Sequence, residues 1–405
     1  MKNVLLLTYF FPPQPEAGAL RPAYLAKYLP LHNWLPTVIT PKFRPPEAHR
    51  PATKNPSRLA RFQSLRNIRT ALRNTLIFPD IAVYWLRPAF REAQTALAEK
   101  TYDAVLSTAL PGSMHILGAM LQRKYGLPWI ADYRDLWTSN PYRRFGPVRT
   151  RIERAVERRV IASSNAVTVV GDDMVAAIRT IKPRGDIFVI PNAFDPQDWA
   201  GVPNLMPEEF RFCYGGRLYE GVRTPELIFR AVAELRAEGD QAGLAVRFDF
   251  FGPDELMVSS LASRFRLADI VRVHGSVERP RMLLAERSAA VLMLLARSDA
   301  SGLNEQGSKI FEYFGARRPV LATGAKGSVL EKLLRDTGVG TLVTTLDECK
   351  SAIRELYQRY QLGSFEVEPT CKIAEFSATT LAARFAEVLD KVCKSSAVDG
   401  TLQES

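Results

Sequence analysis

Short apolar runs alternate with longer segments of helical spacing along most of the chain. The first run, residues 2–9, predicts a strand, and a loop rich in Pro and Gly follows it at residues 10–18. Residues 19–31 then place apolar side chains at core spacing, which predicts a helix, and residues 36–40 predict the next strand. A strand, loop, helix and strand in this order are typical of the mononucleotide-binding half of a doubly wound parallel sheet.

A segment rich in proline interrupts the alternation, which then starts again. This segment, residues 191–208, contains four prolines and predicts an interdomain linker. A second series of strands and helices begins at residues 210–214, and an amphipathic helix is predicted at 379–393. The chain therefore divides into a first domain, a linker, a second domain, a C-terminal helix and a tail, at 1–190, 191–208, 209–372, 373–393 and 394–405.

Composition agrees with a large globular protein and limits its chemistry. A length of 405 residues suggests two or three domains, and 46% hydrophobic with 24% charged residues is ordinary for such proteins. The four cysteines are widely spaced and His is scarce, so a structural zinc site is not expected and a reducing cytoplasm fits best. No apolar run approaches the roughly 18–20 residues that span a bilayer, and prolines rather than a cleavage site follow the first run.

A net charge of +11 favours anionic partners: nucleotide sugars, nucleic acid or an acidic membrane surface. Nucleic acid is not expected, because the chain has no zinc finger, no RNP-like aromatic strand and no basic helix with heptads. Residues 41–75 contain nine Lys and Arg residues and a single acid, Glu47, and their second half can form a basic amphipathic helix. Such a helix either lies on an anionic membrane or packs on the sheet with its arginines in solvent.

The segment SKIFEYFGARRPVLA carries the most informative chemistry. Ser308 can cap a short helix, Gly315 can end it in the left-handed conformation, and residues 319–322 predict a buried strand. Lys309 and Glu312 lie three apart and share one face of this helix. A lysine and a helix N-terminus suit phosphates, and a carboxylate suits ribose hydroxyls. The alternative is a surface ion pair on an ordinary helix.

Glycines and arginines follow two of the predicted strands. Gly18 precedes the first helix, where the backbone can approach a ligand closely, although no complete G-x-G-x-x-G is present. Gly216 and Arg217 follow the strand at residues 210–214 directly, and Arg223 comes six residues later. Both arginines can neutralise phosphate, and the alternative is a turn with surface arginines.

Five stretches in order carry a family resemblance: YFFPPQPEAGALRPAYLAKYL, PWIADYRDLW, VIPNAFD, YGGRLYEGVR and SKIFEYFGARRPVLA. Over residues 1–390 the chain resembles the retaining GT-B glycosyltransferases of family four, which carry an E-x7-E signature. Glu312 matches the second glutamate. The first falls at Asn304, with Glu305 one place later, so the contact that the family makes through that first carboxylate to the transferred sugar is in question.

The resemblance implies an α/β fold of GT-B type, two Rossmann-like doubly wound domains facing a cleft. It implies that the second domain binds a UDP- or GDP-sugar, without cofactor or metal, and that the C-terminal helix crosses back to the first domain. Arg217 falls on the family's arginine for the donor diphosphate, and Arg223 stands where a lysine is usual. Lys309 would join them, Glu312 would contact the ribose, and Gly18 and Gly216 would line the donor.

The resemblance also implies an acceptor side in the first domain. Arg134 stands where many family members have a histidine that contacts the transferred sugar, and Asp132 and Asp135 flank it at the carboxyl end of a predicted strand. Either aspartate can accept the proton of the incoming hydroxyl while Arg134 orients it. His115, on the helix before this strand, is a minor acceptor-side candidate, with packing as the alternative.

The function expected from the resemblance is transfer of a sugar, with retention, to a glycan or lipid-linked acceptor in polysaccharide, glycolipid or cell-envelope synthesis. The expected location is the cytoplasm, including the inner face of the membrane. Two alternatives stay open at this point. One is a non-catalytic GT-B protein that binds sugar or membrane, and the other is a nucleotide-sugar epimerase or phosphorylase-like enzyme.

Overall fold

The computed structural model describes residues 1–14, 16–42, 77–140, 146–204, 206–299, 302–303, 307–364, 366–368 and 370–403. The chain divides into an N-terminal unit, Met1–Pro191 with Leu381–Ser405, and a C-terminal unit, Asn192–Thr380. Residues 43–75 of the basic segment, and Asn304 and Glu305, lie outside the described residues.

The N-terminal unit contains a parallel sheet of six strands in the order β2-β1-β3-β4-β5-β6. The strands are β1 Lys2–Leu7, β2 Trp34–Ile39, β3 Ala104–Ala109, β4 Trp129–Tyr133, β5 Ala166–Val169 and β6 Asp186–Val189. The helices are α1 Leu20–Tyr28, α2 Leu86–Glu99, α3 Ser113–Tyr125, α4 Pro147–Ile161 and α5 Asp172–Ile181. Central strands such as β3 are buried along their whole length, which explains their continuous apolar runs.

The C-terminal unit repeats this architecture with the strand order β12-β11-β10-β7-β8-β9, again parallel. The strands are β7 Arg211–Gly215, β8 Arg247–Phe251, β9 Val271–Val273, β10 Val291–Leu295, β11 Val320–Thr323 and β12 Gly340–Val343. The helices are α6 Pro196–Trp199, α7 Glu226–Ala237, α8 Gln241–Ala245, α9 Glu255–Arg264, α10 Arg279–Arg287, α11 Lys309–Ala316, α12 Val329–Thr337, α13 Leu346–Gln361, α14 Cys371–Ala374 and α15 Ala378–Gln403. The predicted α/β fold of two doubly wound sheets is confirmed.

Both faces of the C-terminal sheet are covered by apolar clusters. Strand β10 shows the alternation: Met293 packs in one cluster, whereas Leu292 and Leu294 pack in the other. A strand that is buried on both faces must be apolar at every position, and this property made the strand recognisable from the sequence.

A helix lies near each of the two points at which the chain passes from one unit to the other. In the stretch expected to be a linker, α6 presents Trp199, which is 5% exposed, to the apolar cluster of the C-terminal unit. Helix α15 begins in the C-terminal unit, and the chain from Leu381 onward belongs to the N-terminal unit. Among the described helices, none is both long and apolar enough to cross a membrane.

Candidate functional site

Two glycines bring the ends of β7 and β8 close together. Gly216 has a φ of 143° and donates from its amide to the carbonyl of Phe251 at 2.8 Å. Gly252 has a φ of 150°, and a Cβ added there would lie 2.1 Å from the carbonyl oxygen of Gly216. Only glycine fits this close approach of two backbones, so the carboxyl ends of both strands are left without side chains.

Both predicted arginines lie on the loop that follows β7. Arg217 is exposed, and its carbonyl accepts a hydrogen bond of 2.8 Å from the hydroxyl of Tyr214. The guanidinium of Arg223 lies over the Tyr219 ring at 5.5 Å, and the two residues pair through their main chains. Burial raises the pKa of Tyr214 to about 12, while the positive charges of Arg223 and Lys309 act in the opposite direction. Both cations therefore lie near this phenol.

Lys309, at the start of α11, reaches the same strand end. A Cβ added to Gly215 would lie 3.3 Å from its ammonium nitrogen. Lys309 Nζ is 3.3 Å from Glu312 Oε2, as expected for residues on one helix face, and 3.0 Å from Glu286 Oε1. The C-terminal unit thus gathers Gly216, Arg223, Lys309 and Glu312 around the end of β7.

Three charged residues complete this group and were not predicted. Arg279, at the start of α10, donates to Glu312 Oε1 at 3.1 Å and to Asp198 Oδ2 at 2.8 Å. Glu286 lies seven residues after Arg279, two helical turns along α10, and is completely buried. That seven-residue spacing was the available signal for Arg279 and Glu286, whereas nothing local to Asp198 marks it.

The charges in this group shift one another's pKa values. Burial lowers the pKa of Lys309, but the carboxylates of Glu286 and Glu312 outweigh it and raise the pKa. Burial raises the pKa of Glu286 to about 7. The negative charge of Glu312 also raises this pKa, and the positive charge of Lys309 lowers it. For Glu312, burial also favours the neutral form, but Lys309 and Arg279 outweigh it and lower the pKa. Lys309 and Glu312 are therefore charged at neutral pH.

The predicted start of α11 is confirmed in position, and its predicted end is wrong. Ser308 is the N-cap residue, but its backbone is already helical and its side chain makes no capping hydrogen bond. The left-handed residue that ends the helix is Arg317, with a φ of 57°, and not Gly315. Gly315 lies inside the helix, where a Cβ would fall 1.9 Å from Trp199 Nε1. Close packing explains this glycine, and chain reversal does not.

In the N-terminal unit, Asp132 is completely buried on β4 and is surrounded by donors. Arg21 donates to both of its oxygens, at 3.0 Å and 2.9 Å. Thr108 and Thr168 donate to it at 2.8 Å and 2.7 Å. Burial favours the neutral acid, but Arg21 and the two threonines outweigh it and lower the pKa of Asp132. Asp132 therefore belongs to a buried ion pair with Arg21, and its predicted role as a proton acceptor does not fit this environment.

Arg134 follows β4 and contacts the loop that carries Gly18. Its guanidinium donates to the carbonyls of Gly18, Ala109 and Leu110. A Cβ on Gly18 would lie 2.4 Å from Arg134 Nη1, so glycine is needed for this contact. The structure therefore brings together two residues that were predicted for different roles, and it occupies the guanidinium with backbone. Asp135 lies beside it and is exposed to solvent. The protein atoms around its carboxylate still reduce its hydration, which raises the pKa of Asp135 against the charge of Arg134.

His115 lies inside the N-terminal core and not at a surface. It is 0% exposed, its Nδ1 is 2.8 Å from Ser107 Oγ, and its ring lies against Tyr133 at 4.5 Å. Burial lowers its pKa to about 3, so the imidazole is neutral. Its expected acceptor-side role does not fit this environment, because no face of the ring is open to an acceptor.

Comparison with known families defines the class of protein. The model described as Glycosyltransferase Family 4 matches residues 22–198, and the one described as Glycosyl transferases group 1 matches residues 209–359. Curated proteins gave no significant match. With the two parallel sheets, these matches identify the chain as a glycosyltransferase of the GT-B fold.

Solved structures share this fold at low sequence identity. Sucrose-phosphate synthase from Thermosynechococcus elongatus has a TM-score of 0.68 at 15% identity, over 98% of this chain and 100% of that one. HepE from Anabaena, solved with UDP and glucose, has a TM-score of 0.62 at 17% identity, over 96% and 100%. WaaG, a glycosyltransferase involved in lipopolysaccharide biosynthesis, has a TM-score of 0.54 at 14% identity, over 96% and 98%.

Proposed function

We propose that the C-terminal unit binds a UDP- or GDP-sugar and that the enzyme transfers the sugar, with retention, to a hydroxyl of a glycan or lipid-linked acceptor. The observation that carries this proposal is the group formed by Gly216, Arg223, Lys309 and Glu312 at the carboxyl end of β7. Ligands of open parallel sheets bind at this end of the strands. The complex of HepE with UDP and glucose supports the choice of ligand.

Each residue of this group has a distinct proposed task. Arg223 and Lys309, together with Arg217 from the loop after β7, neutralise the diphosphate and stabilise the charge that develops on it as the bond to the sugar breaks. The glycine at position 216 lets the phosphates approach the backbone. Glu312 keeps its negative charge through Lys309 and Arg279, and it accepts hydrogen bonds from the ribose hydroxyls. This chemistry is electrostatic and needs no metal or cofactor.

On the acceptor side we propose that Asp135 accepts the proton of the attacking hydroxyl. Of the two aspartates predicted for this role, Asp135 is exposed and Asp132 is buried. Arg134 is a positioning residue in this scheme, because its guanidinium holds the backbone of Gly18 and of residues 109–110. The proposed acceptor is an intermediate of polysaccharide, glycolipid or cell-envelope synthesis. WaaG, which has a similar structure, is a glycosyltransferase involved in lipopolysaccharide biosynthesis.

We further propose that the enzyme works in the cytoplasm and docks on an anionic membrane surface. Helix α4 supports this, because its two carboxylates are buried: Glu153 accepts from Arg149 and Trp137, and Glu157 accepts from Tyr133. Its outward face therefore carries only positive charge, together with Val148 and Ile152, which are 70% and 52% exposed. The exposed arginines of this helix are Arg151, Arg154, Arg158 and Arg159.

The transfer proposal is tested with purified protein and a panel of UDP- and GDP-sugars, by measuring nucleotide release and sugar transfer. Arg217→Ala and Lys309→Ala should each lower turnover by about 10²–10³-fold, because each removes a charge that stabilises the leaving diphosphate. Arg236→Ala is the matched control, since Arg236 pairs with Asp269 on the surface and should keep native turnover. Native rates in both site variants would contradict the proposal. Nucleotide binding without any turnover would favour a non-catalytic protein.

A further inference from the structure

Lys309 is held by carboxylates, although it is proposed to bind an anion. Its ammonium pairs with Glu286 and Glu312, and Glu312 also pairs with Arg279. A diphosphate at the end of β7 would add negative charge beside Glu286 and Glu312, so each of these carboxylates opposes its binding when ionised.

Glu286 is the carboxylate with the least compensation. Its Oε1 is 3.0 Å from Lys309 Nζ, whereas Oε2 is buried and has no hydrogen-bond partner among the described residues. The titratable groups that face it, apart from Lys309, are Glu312 and Tyr313 on α11, Cys213 on β7 and Arg279 on α10. A proton on Oε2 would remove the negative charge of Glu286 and leave Oε1 to accept from Lys309.

We propose that Glu286 is a positioning residue that holds Lys309 towards the end of β7 and takes up a proton when a nucleotide diphosphate binds there. This inference rests on the donor site proposed above. Its basis is geometric: the carboxylate is completely buried, one oxygen holds the ammonium, and the other has no donor.

The position of the titration supports this inference. Burial raises the pKa of Glu286 to about 7, so both protonation states are populated in the free protein near neutral pH. An arriving diphosphate raises that pKa further, because like charges disfavour the ionised form. The bound state then holds more protons than the free state, and the affinity for nucleotide falls as pH rises above about 7.

The experiment is a titration of the full-length protein with UDP between pH 6 and pH 8.5, by calorimetry. Glu286→Gln keeps the shape and the acceptor oxygen but removes the charge. Native protein and variant should bind UDP equally at pH 6, and the variant should bind about tenfold more tightly at pH 8. The terminal phosphate of UDP also titrates near pH 6, but it does so equally in both titrations. Glu234→Gln, on the surface of α7, is the control and should keep the native pH dependence.

A proton count on the native protein makes the test independent of how the variant folds. Calorimetry at pH 8 in two buffers of different ionisation enthalpy should show net proton uptake with UDP, because free UDP is already ionised there. Binding without proton uptake, or an unchanged pH slope in Glu286→Gln, would overturn the inference and leave the donor site intact. Failure of the native protein to bind either UDP or GDP at any pH would instead overturn the proposed function.

Discussion

Arg21 holds Asp132 through two charge-assisted hydrogen bonds, Nε to Oδ2 at 3.0 Å and Nη2 to Oδ1 at 2.9 Å, with both side chains buried. The same guanidinium donates to the carbonyls of Ile190 and Pro191 at 2.9 Å and 2.8 Å. The pair therefore ties α1 to β4 and to the chain that follows β6.

Asp132→Asn should destabilise the N-terminal unit by about 3 kcal/mol or more, because it leaves the buried Arg21 without its counter-charge. Urea unfolding followed by tryptophan fluorescence measures the change. Asp135→Asn is the matched control, since the same substitution at this exposed position should change stability by less than about 0.5 kcal/mol. Equal stability of the two variants would show that the ion pair does not hold the fold.

Asp135→Asn should instead reduce transfer by about 10²-fold while leaving nucleotide binding unchanged, because it removes the proposed proton acceptor. In the native enzyme, desolvation raises the pKa of Asp135. A base works only when it is deprotonated, so transfer should decline with falling pH at a higher pH than an ordinary aspartate would give. The pH–rate profiles of native protein and variant check this, and an identical acid limb in both would exclude Asp135 as the base.

Gly315→Ala should destabilise the C-terminal unit by roughly 1–3 kcal/mol, because the new methyl group would overlap Trp199. Thermal and chemical unfolding measure this effect. Gly201→Ala is the matched control, because a Cβ at Gly201 meets no atom within 4 Å. If both alanine variants unfold like the native protein, the contact between α11 and Trp199 is not close-packed.

His115 predicts a specific dependence of stability on pH. Burial lowers its pKa to about 3 from the ordinary 6.5, so the unfolded chain binds a proton that the folded protein does not. Stability from this group is complete above pH 6.5 and falls by up to about 1.4 kcal/mol per pH unit as the pH decreases towards 3. The difference in unfolding free energy between native protein and His115→Leu should follow this slope, and a constant difference between pH 7 and pH 4.5 would contradict it.

Local pattern was sufficient for the fold and for part of the site. The run from Val4 to Leu7 is buried completely, as a central parallel strand must be, and its composition alone predicts that. Lys309 and Glu312 are predicted to share a helix face because they lie three positions apart in the sequence. These features depend on neighbours within a few positions of the chain.

The remaining features depend on contacts between distant residues. The sequence placed Asp132 and Asp135 at the same strand end, but only the ion pair with Arg21, 111 residues away, shows which of them is buried. Glu286 meets Lys309 across two helices and 23 residues. Gly315 looked like a helix end, and its real constraint is a tryptophan from α6. The local sequence is compatible with several roles for each of these residues, and tertiary packing determines which role the residue has.

The most direct test of the proposed donor site is a crystal structure of the protein with bound UDP. Diphosphate oxygens should lie within about 3 Å of the Lys309 ammonium and the Arg217 guanidinium, and ribose hydroxyls should lie within hydrogen-bond distance of Glu312. The donor-site proposal would be contradicted if the nucleotide occupied another part of the molecule and contacted none of these three side chains.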